Sequence, residues 1–180
     1  GPFVRMMSAT AARHGMYVSG ALYLRRGDLI YNSVPLFDRE GKLVGIHDKN
    51  MLYDPENEAG ATCGDRLSVF QADFGCVGIM TCYESWFPDV AKLLALKGAE
   101  LILFPSAGFY EELIHARSSD NCVVVAASTM GSTHDVWDNG GNRAGGQAVV
   151  DPSRNAPTSI VTVEKVPGRK LMYVTVDLSK

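Results

Sequence analysis

Apolar residues along this chain fall into two kinds of pattern. Nearly unbroken apolar runs occupy residues 76–81, 99–105 and 122–128. Runs of that length without polar alternation predict strands buried on both faces. Between the first two, Val90, Leu93, Leu94 and Leu96 cluster at helical spacing over residues 88–97, and Gly98 follows as a stop. A strand, a helix of about ten residues and a second strand make a βαβ unit, whose strands must be parallel. Residues 109–121 predict another helix before the third run.

The first third of the chain reads differently. Residues 4–14 carry small and apolar side chains at helical spacing and end at Arg13-His14-Gly15, a basic last turn followed by glycine. Residues 16–24, 29–37 and 43–47 predict strands, with Arg25-Arg26-Gly27-Asp28 and Asp38-Arg39-Glu40-Gly41-Lys42 as turns. Connections this short require an antiparallel meander. Residues 48–66 are polar, hold Pro55, Gly60 and Gly64, and keep no period, so they predict one long loop of the kind that often carries function. Residues 67–71 predict a strand before the turn Asp73-Phe74-Gly75. Residues 131–146 predict a loop, 147–151 a strand, and 159–163 with 171–176 a closing hairpin. Together these elements predict an α/β layered sandwich, folded as one domain over residues 1–180.

Composition removes several functional classes. The formal net charge is -3 and the basic residues are scattered, so no nucleic-acid partner is expected. No apolar stretch approaches the ~20 residues that span a bilayer, and Gly1-Pro2-Phe3-Val4-Arg5 has no signal-peptide pattern. No membrane partner is expected, and a cytoplasmic location is. The four cysteines, Cys63, Cys76, Cys82 and Cys122, match no zinc spacing and make no disulfide framework. They read as free thiols in a reducing compartment, three of them as packing residues.

Cys82 is the exception. It closes an apolar strand and precedes a polar turn and a helix, which holds a side chain rigidly while exposing it. A thiol attacks as the thiolate, which the positive end of a helix favours. The same position also suits a packed core cysteine. Lys49, at the start of the long loop, can stabilise an oxyanion or stand as a solvated loop lysine. Glu56 and Glu58, further along that loop, can orient the lysine, assist proton transfer or face solvent. Trp86, Phe109, Tyr110 and Trp137 sit in or beside strand-end loops and suit either a pocket wall or the core. His14, His47, His115 and His134 form no recognisable cluster, and neither a Gly-x-Ser-x-Gly elbow nor a dinucleotide-binding glycine pattern is present.

In order and spacing these segments resemble the carbon–nitrogen hydrolase (nitrilase) superfamily over nearly the whole chain. The carriers are Tyr31-Asn32-Ser33 with Asp38-Arg39-Glu40-Gly41, the lysine segment His47-Asp48-Lys49-Asn50-Met51-Leu52, and the nucleophile segment from Gly78 through Cys82-Tyr83-Glu84-Ser85-Trp86-Phe87-Pro88-Asp89. Gly98-Ala99-Glu100, Pro105-Ser106-Ala107, Ala116-Arg117 with Asn121, and Gly145-Gly146-Gln147 with Asp151-Pro152 continue it. The resemblance implies a four-layer αββα sandwich and a Glu-Lys-Cys triad. Cys82 would be the nucleophile, Lys49 the oxyanion-stabilising lysine, the Tyr83 N–H a second oxyanion donor, and Glu56, or failing it Glu58, an accessory glutamate. Tyr83, Glu84, Trp86, Ser106 and Ala107 would bind substrate.

The implied activity is hydrolysis of a non-peptide carbon–nitrogen bond, in a small-molecule amide or carbamoyl compound, through a cysteine thioester. It needs no metal or organic cofactor, and the family implies a homo-oligomer. Nitrile hydrolysis is the alternative at the same site. The segments correspond to the C-terminal two-thirds of the family pattern. The general-base glutamate, with the fold's first strand and helix, is therefore expected upstream of this chain, which alone would be inactive. A truncated, non-catalytic paralogue that serves as a binding or oligomerisation partner is the rival reading. Cys63 stands where the family often has proline, and Asp89 where it often has glutamate.

Overall fold

A computed structural model describes residues 1–109, 111–129, 143–144, 147–150, 163–166, 169–172, 176 and 178. In chain order its elements are α1 (Pro2–His14), β1 (Val18–Ser19), β2 (Leu22–Arg26), β3 (Leu29–Phe37), β4 (Leu43–Asp48), α2 (Asp54–Glu58), β5 (Val69–Ala72) and β6 (Gly75–Ile79). A single 3-10 turn, Cys82–Trp86, follows. Then come α3 (Pro88–Leu96), β7 (Leu101–Ser106), β8 (Gly108–Phe109), α4 (Glu111–Asn121), β9 (Val124–Thr129), β10 (Arg143–Ala144), β11 (Gln147–Val150), β12 (Val163–Val166) and β13 (Arg169–Met172).

α1 begins with a proline, whose missing N–H costs nothing in a first turn. It ends where Gly15 takes the left-handed conformation, φ 59°, and returns its N–H to the Ala11 carbonyl. β3 then centres an antiparallel sheet. Ser33 pairs with both Leu22 and Asp48, and Leu36 with both Ser19 and Gly45, so β1 and β2 share one edge of β3 and β4 takes the other. The single strand predicted over 16–24 is therefore two. The break lies opposite Pro35, which has no N–H to give to that ladder. Its carbonyl is taken by the Ser19 hydroxyl instead, at 3.0 Å.

The second sheet runs β11-β9-β7-β6-β5. β6, β7 and β9 are parallel, as the predicted crossover helices require, with β5 and β11 antiparallel at the edges. Its central strands are covered on both faces. Along β7, Ile102 and Phe104 face the helices while Leu103 faces the other sheet, the alternation a pleated strand imposes.

These contacts define four layers, αββα. α1 packs Met7 and Ala11 on Phe37, with Val4, Val18 and Leu22 beside them. Val34 and Leu36 of the first sheet meet Ala72, Val77 and Ile79 of the second. The sheets approach so closely at Gly45 that a Cβ there would lie 2.2 Å from the Phe70 ring. Val90, Ala91, Leu94 and Ile114 of α3 and α4 cover Ile102, Phe104 and Val125. Each such side chain, fully buried, contributes roughly 1.5–3 kcal/mol. Leu93 and Leu96, grouped with Val90 and Leu94 in the sequence pattern, are exposed.

Other differences are local. The predicted long loop contains α2, whose Pro55 sits in the first turn with Asp54 and Glu56, a placement that suits the helix dipole. One turn and a half is too short to show a period. The helix predicted over 109–121 starts at Glu111, because Gly108–Phe109 pairs with Arg143–Ala144 as a strand. The closing hairpin pairs Val163–Val166 with Arg169–Met172. The rest of the predicted 131–146 loop, and residues 151–162 and 173–175, lie outside the described residues. No helix among the described residues is long and apolar enough to cross a membrane.

Candidate active site

Cys82 stands just beyond the C-terminal end of β6. The Met80 N–H bonds the Leu103 carbonyl and the Thr81 hydroxyl the Pro105 carbonyl at 2.8 Å, so the chain stays fastened to β7 up to the residue before the thiol. Thr81 is extended, and Cys82 then turns to φ 51°. That is the left-handed region, which costs a non-glycine residue roughly 1–2 kcal/mol. Strain of this kind persists where the surroundings over-determine it, and functional sites are where it collects. The turn is held from inside: the Ser85 hydroxyl bonds the Cys82 carbonyl at 3.0 Å, and Arg117, buried on α4, donates to the Ser85 carbonyl at 3.0 Å. The Cys82 side chain is left half-buried. Ser106 ends the neighbouring parallel strand and Ala107 follows it. β6 and β7, which lead to Cys82 and to this pair, are thus parallel neighbours whose C-terminal ends point the same way. The Ser106 hydroxyl is turned back onto the Gly108 carbonyl.

Lys49 is the first residue after β4 and is only 1% exposed. Its backbone is closed on both sides, its N–H to the Asn32 carbonyl at 2.9 Å and its carbonyl to the Gly64 N–H at 2.8 Å. A Cβ on Gly64 would come 2.2 Å from the Asp48 carbonyl oxygen, so the loop can shut here only on a glycine. The ammonium meets Glu56 Oε2 at 2.5 Å. Glu56 also accepts from Asn32 Nδ2 at 2.6 Å and from the Tyr53 N–H at 2.8 Å. Burial alone would push the Glu56 carboxyl up. The bonds from Lys49, Asn32 and Tyr53 and the lysine's charge outweigh it and hold the carboxyl below its usual range. Glu58, two residues on, is exposed.

Asn32, and Tyr23 as a further partner of Glu56, have no place in the predicted site. Asn32 and Tyr23 face each other across the β2–β3 ladder, so their side chains share a face. Both reach Glu56, Tyr23 through its hydroxyl at 3.4 Å. Burial, the charge and hydrogen bond of Glu56, and the charge of Cys82 all push the Tyr23 hydroxyl up, so these three groups share one electrostatic neighbourhood. The signal in the sequence was the period-2 alternation of two strands joined by a two-residue turn.

Glu84, expected at the substrate, is instead 0% exposed. Its Oε1 accepts the Asn50 N–H at 2.7 Å, and its Oε2 accepts the Thr81 N–H at 2.7 Å and meets His47 Nε2 at 2.9 Å. Tyr83 is half-buried and Trp86 is 51% exposed. Tyr83 stands at the centre of an aromatic group, 5.5 Å from Tyr53, 6.5 Å from Trp86 and 5.3 Å from Phe87 between ring centroids. The pocket-wall candidates Tyr110 and Trp137 and the Phe109 side chain lie outside the described residues.

The four cysteines are all free. The expectation that three of them pack in the core fails for Cys63 and Cys122, which are exposed, one on the Lys49–Gly64 loop and one at φ 50° just after α4. No cluster of three potential metal ligands occurs among the described residues.

With this geometry in hand, residues 1–155 match the family model described as carbon-nitrogen hydrolase. The chain is 28% identical to a citrullinase of Francisella tularensis over 110 residues, which is 59% of this chain and 38% of that protein. It is 30% identical to an omega-amidase of Danio rerio over 146 residues, 72% of this chain and 52% of that protein. The chain thus spans about half the length, or less, of these curated relatives. The crystal structure of Saccharomyces cerevisiae Nit3, a member of branch 10 of the nitrilase superfamily, superposes with a TM-score of 0.72 at 27% identity, covering 83% of this chain and 57% of that one. The chain belongs to the carbon–nitrogen hydrolase family, within the nitrilase superfamily.

Proposed function

We propose that the protein hydrolyses a non-peptide carbon–nitrogen bond in a small-molecule amide or carbamoyl compound through a thioester on Cys82. The observation that carries this reading is that Glu84 bridges two segments, one bearing a strained, half-buried thiol at a strand end and the other a lysine that is buried and pinned by a carboxylate. A solvated loop lysine would need neither the burial nor the partner.

In the proposed route the Cys82 thiolate attacks the carbonyl carbon and forms the C–S bond as the π electrons move to oxygen. The Lys49 ammonium and the Tyr83 N–H hold that oxyanion, a contribution commonly worth ~3 kcal/mol per donor. Collapse breaks the C–N bond, and the nitrogen leaves as ammonia or an amine after taking a proton. Water then attacks the thioester, releases the acid and restores the thiol. Glu56 does not serve as the base for Cys82: its oxygens are committed to Lys49, Asn32 and Tyr53, and its low proton affinity suits a group that holds a lysine in place. The thiol proton would go to the general-base glutamate of the triad that the family resemblance implies, a residue distinct from Glu56. The likeness to a citrullinase and an omega-amidase supports carbamoyl and amide substrates; a likeness to a probable nitrilase keeps nitriles as the alternative at the same site.

The test is ammonia release from primary amides, N-carbamoyl compounds and nitriles assayed in parallel, with wild type and Cys82→Ala. The expected result is turnover of amides or carbamoyl compounds, an acyl adduct on Cys82 by mass spectrometry, and no turnover in the variant. Turnover retained by Cys82→Ala would falsify the assignment.

A further inference from the structure

We propose that Glu84 is a positioning residue, braced by His47, that sets where Lys49 and Cys82 stand relative to each other. This rests on the hydrolase reading and deepens it. Glu84 is 0% exposed, and the hydrogen bonds its carboxylate makes all go to the protein itself. Its two oxygens are spent on two separate segments. Oε1 accepts the N–H of Asn50, the residue after Lys49, and Oε2 accepts the N–H of Thr81, the residue before Cys82, each at 2.7 Å. One carboxylate thus ties the residue after Lys49 to the residue before Cys82, and Glu84 itself lies 34 residues from Asn50 in the sequence. An apolar side chain could fill the same space but could accept neither bond.

His47 completes the brace. It is 1% exposed, and its Nε2 meets Glu84 Oε2 at 2.9 Å. Its Nδ1 is a buried nitrogen without a hydrogen-bond partner among the described residues. A carboxylate oxygen can only accept, so Nε2 is the donor in this pair. A buried imidazole whose one side-chain hydrogen bond among the described residues is to Glu84 acts through Glu84. It stands two residues before Lys49 on β4, so it also ties that strand to the turn that carries the thiol.

Reaction rates are steep in placement: a 1 Å error remote from the chemistry can cost about 10²-fold. The experiment compares wild type, Glu84→Gln, His47→Leu and His47→Gln in steady-state kinetics on the best substrate, with melting temperatures and the rate at which iodoacetamide alkylates Cys82. Gln is chosen at 47 because its Nε2 can reproduce the imidazole donor. We expect Glu84→Gln to lower kcat about 100-fold with KM within about threefold, the signature of lost transition-state placement. His47→Leu should lower kcat about tenfold, and His47→Gln should return it to within about threefold of wild type. Alkylation of Cys82 should slow in Glu84→Gln and His47→Leu while that of exposed Cys63 does not change.

A folded Glu84→Gln with wild-type kcat overturns the proposal. So does a raised KM at constant kcat, which is the mark of a substrate contact. Should Glu84→Gln not fold, the His47 pair decides: equal kcat in the Leu and Gln variants also overturns it. Cys82→Ala and Lys49→Ala run alongside. Activity surviving in them sinks the hydrolase reading, whereas their loss beside an active Glu84→Gln sinks only the brace.

Discussion

Lys49 and Glu56 are seven residues apart in the chain and 2.5 Å apart in space. The pair closes around a lysine that is 1% exposed, by a carboxylate whose side chain is 11% exposed. Removing one partner of such a pair leaves the other charge buried without compensation, which typically costs about 3–5 kcal/mol. Glu56→Gln is expected to lose at least the lower figure in urea denaturation. Glu58→Gln, exposed on the same loop, should stay within about 0.5 kcal/mol of wild type. Equal effects from the two would mean that the buried pair carries no special weight.

Acid should act on the same corner of the molecule. Burial pushes Asp48 up, but bidentate bonds from Arg26 at 2.6 and 2.7 Å and one from Ser33 at 2.6 Å outweigh it, and Asp48, like Glu56, is held below the usual carboxylate range. A carboxyl whose folded affinity for protons is lower than its unfolded one contributes stability above the unfolded value, about 4. That contribution is lost as pH falls through the folded values. The urea midpoint should therefore hold nearly level from neutrality to about pH 5 and drop below about pH 4. The drop should be shallower in Asp48→Asn/Glu56→Gln than in wild type, and an equally steep fall in both proteins would place the acid sensitivity elsewhere.

The backbone at Cys82 makes a prediction that separates chemistry from conformation. Alanine and glycine both remove the thiol and both should end turnover. Only glycine takes φ 51° without strain, so Cys82→Gly should be more stable than Cys82→Ala by about 1 kcal/mol. At ordinary positions in elements the order is the reverse. Chemical denaturation of the two inactive variants, side by side, reads this directly, and a more stable alanine variant would refute the left-handed turn.

Much of this architecture is legible before any coordinates. The apolar run that ends at Thr81 does become a strand covered on both faces, and Val90 and Leu94, four apart, do bury together. Leu93 and Leu96 show the limit of that reasoning, since periodicity says which residues share a face and not how wide a face the sheet will cover. The site is less legible than the fold, and for a physical reason. Lysine and glutamate belong outside by composition alone, yet Lys49 is buried because Glu56 and Asn32 converge on one point from a helix and a neighbouring strand. Glu84 is buried because two of its partners, beside His47, are backbone N–H groups, which every residue but proline carries and which no pattern of side chains reveals. Tyr23 enters by register, and register is fixed by the turn and by Pro35.

The closed neck of the loop between Lys49 and Gly64 has a consequence for how such a site can change. Gly64 returns to the Lys49 carbonyl and Thr62 to the Ile30 carbonyl at 2.7 Å, while residues 57–60 project into solvent. Exposed tips are where insertions and deletions are best tolerated. A lineage could therefore lengthen or trim this tip, and so redraw the rim that an incoming molecule meets, while the ammonium behind the neck stays where it was. Breadth of substrate and the reacting geometry would then drift at separate rates, on two halves of one short loop.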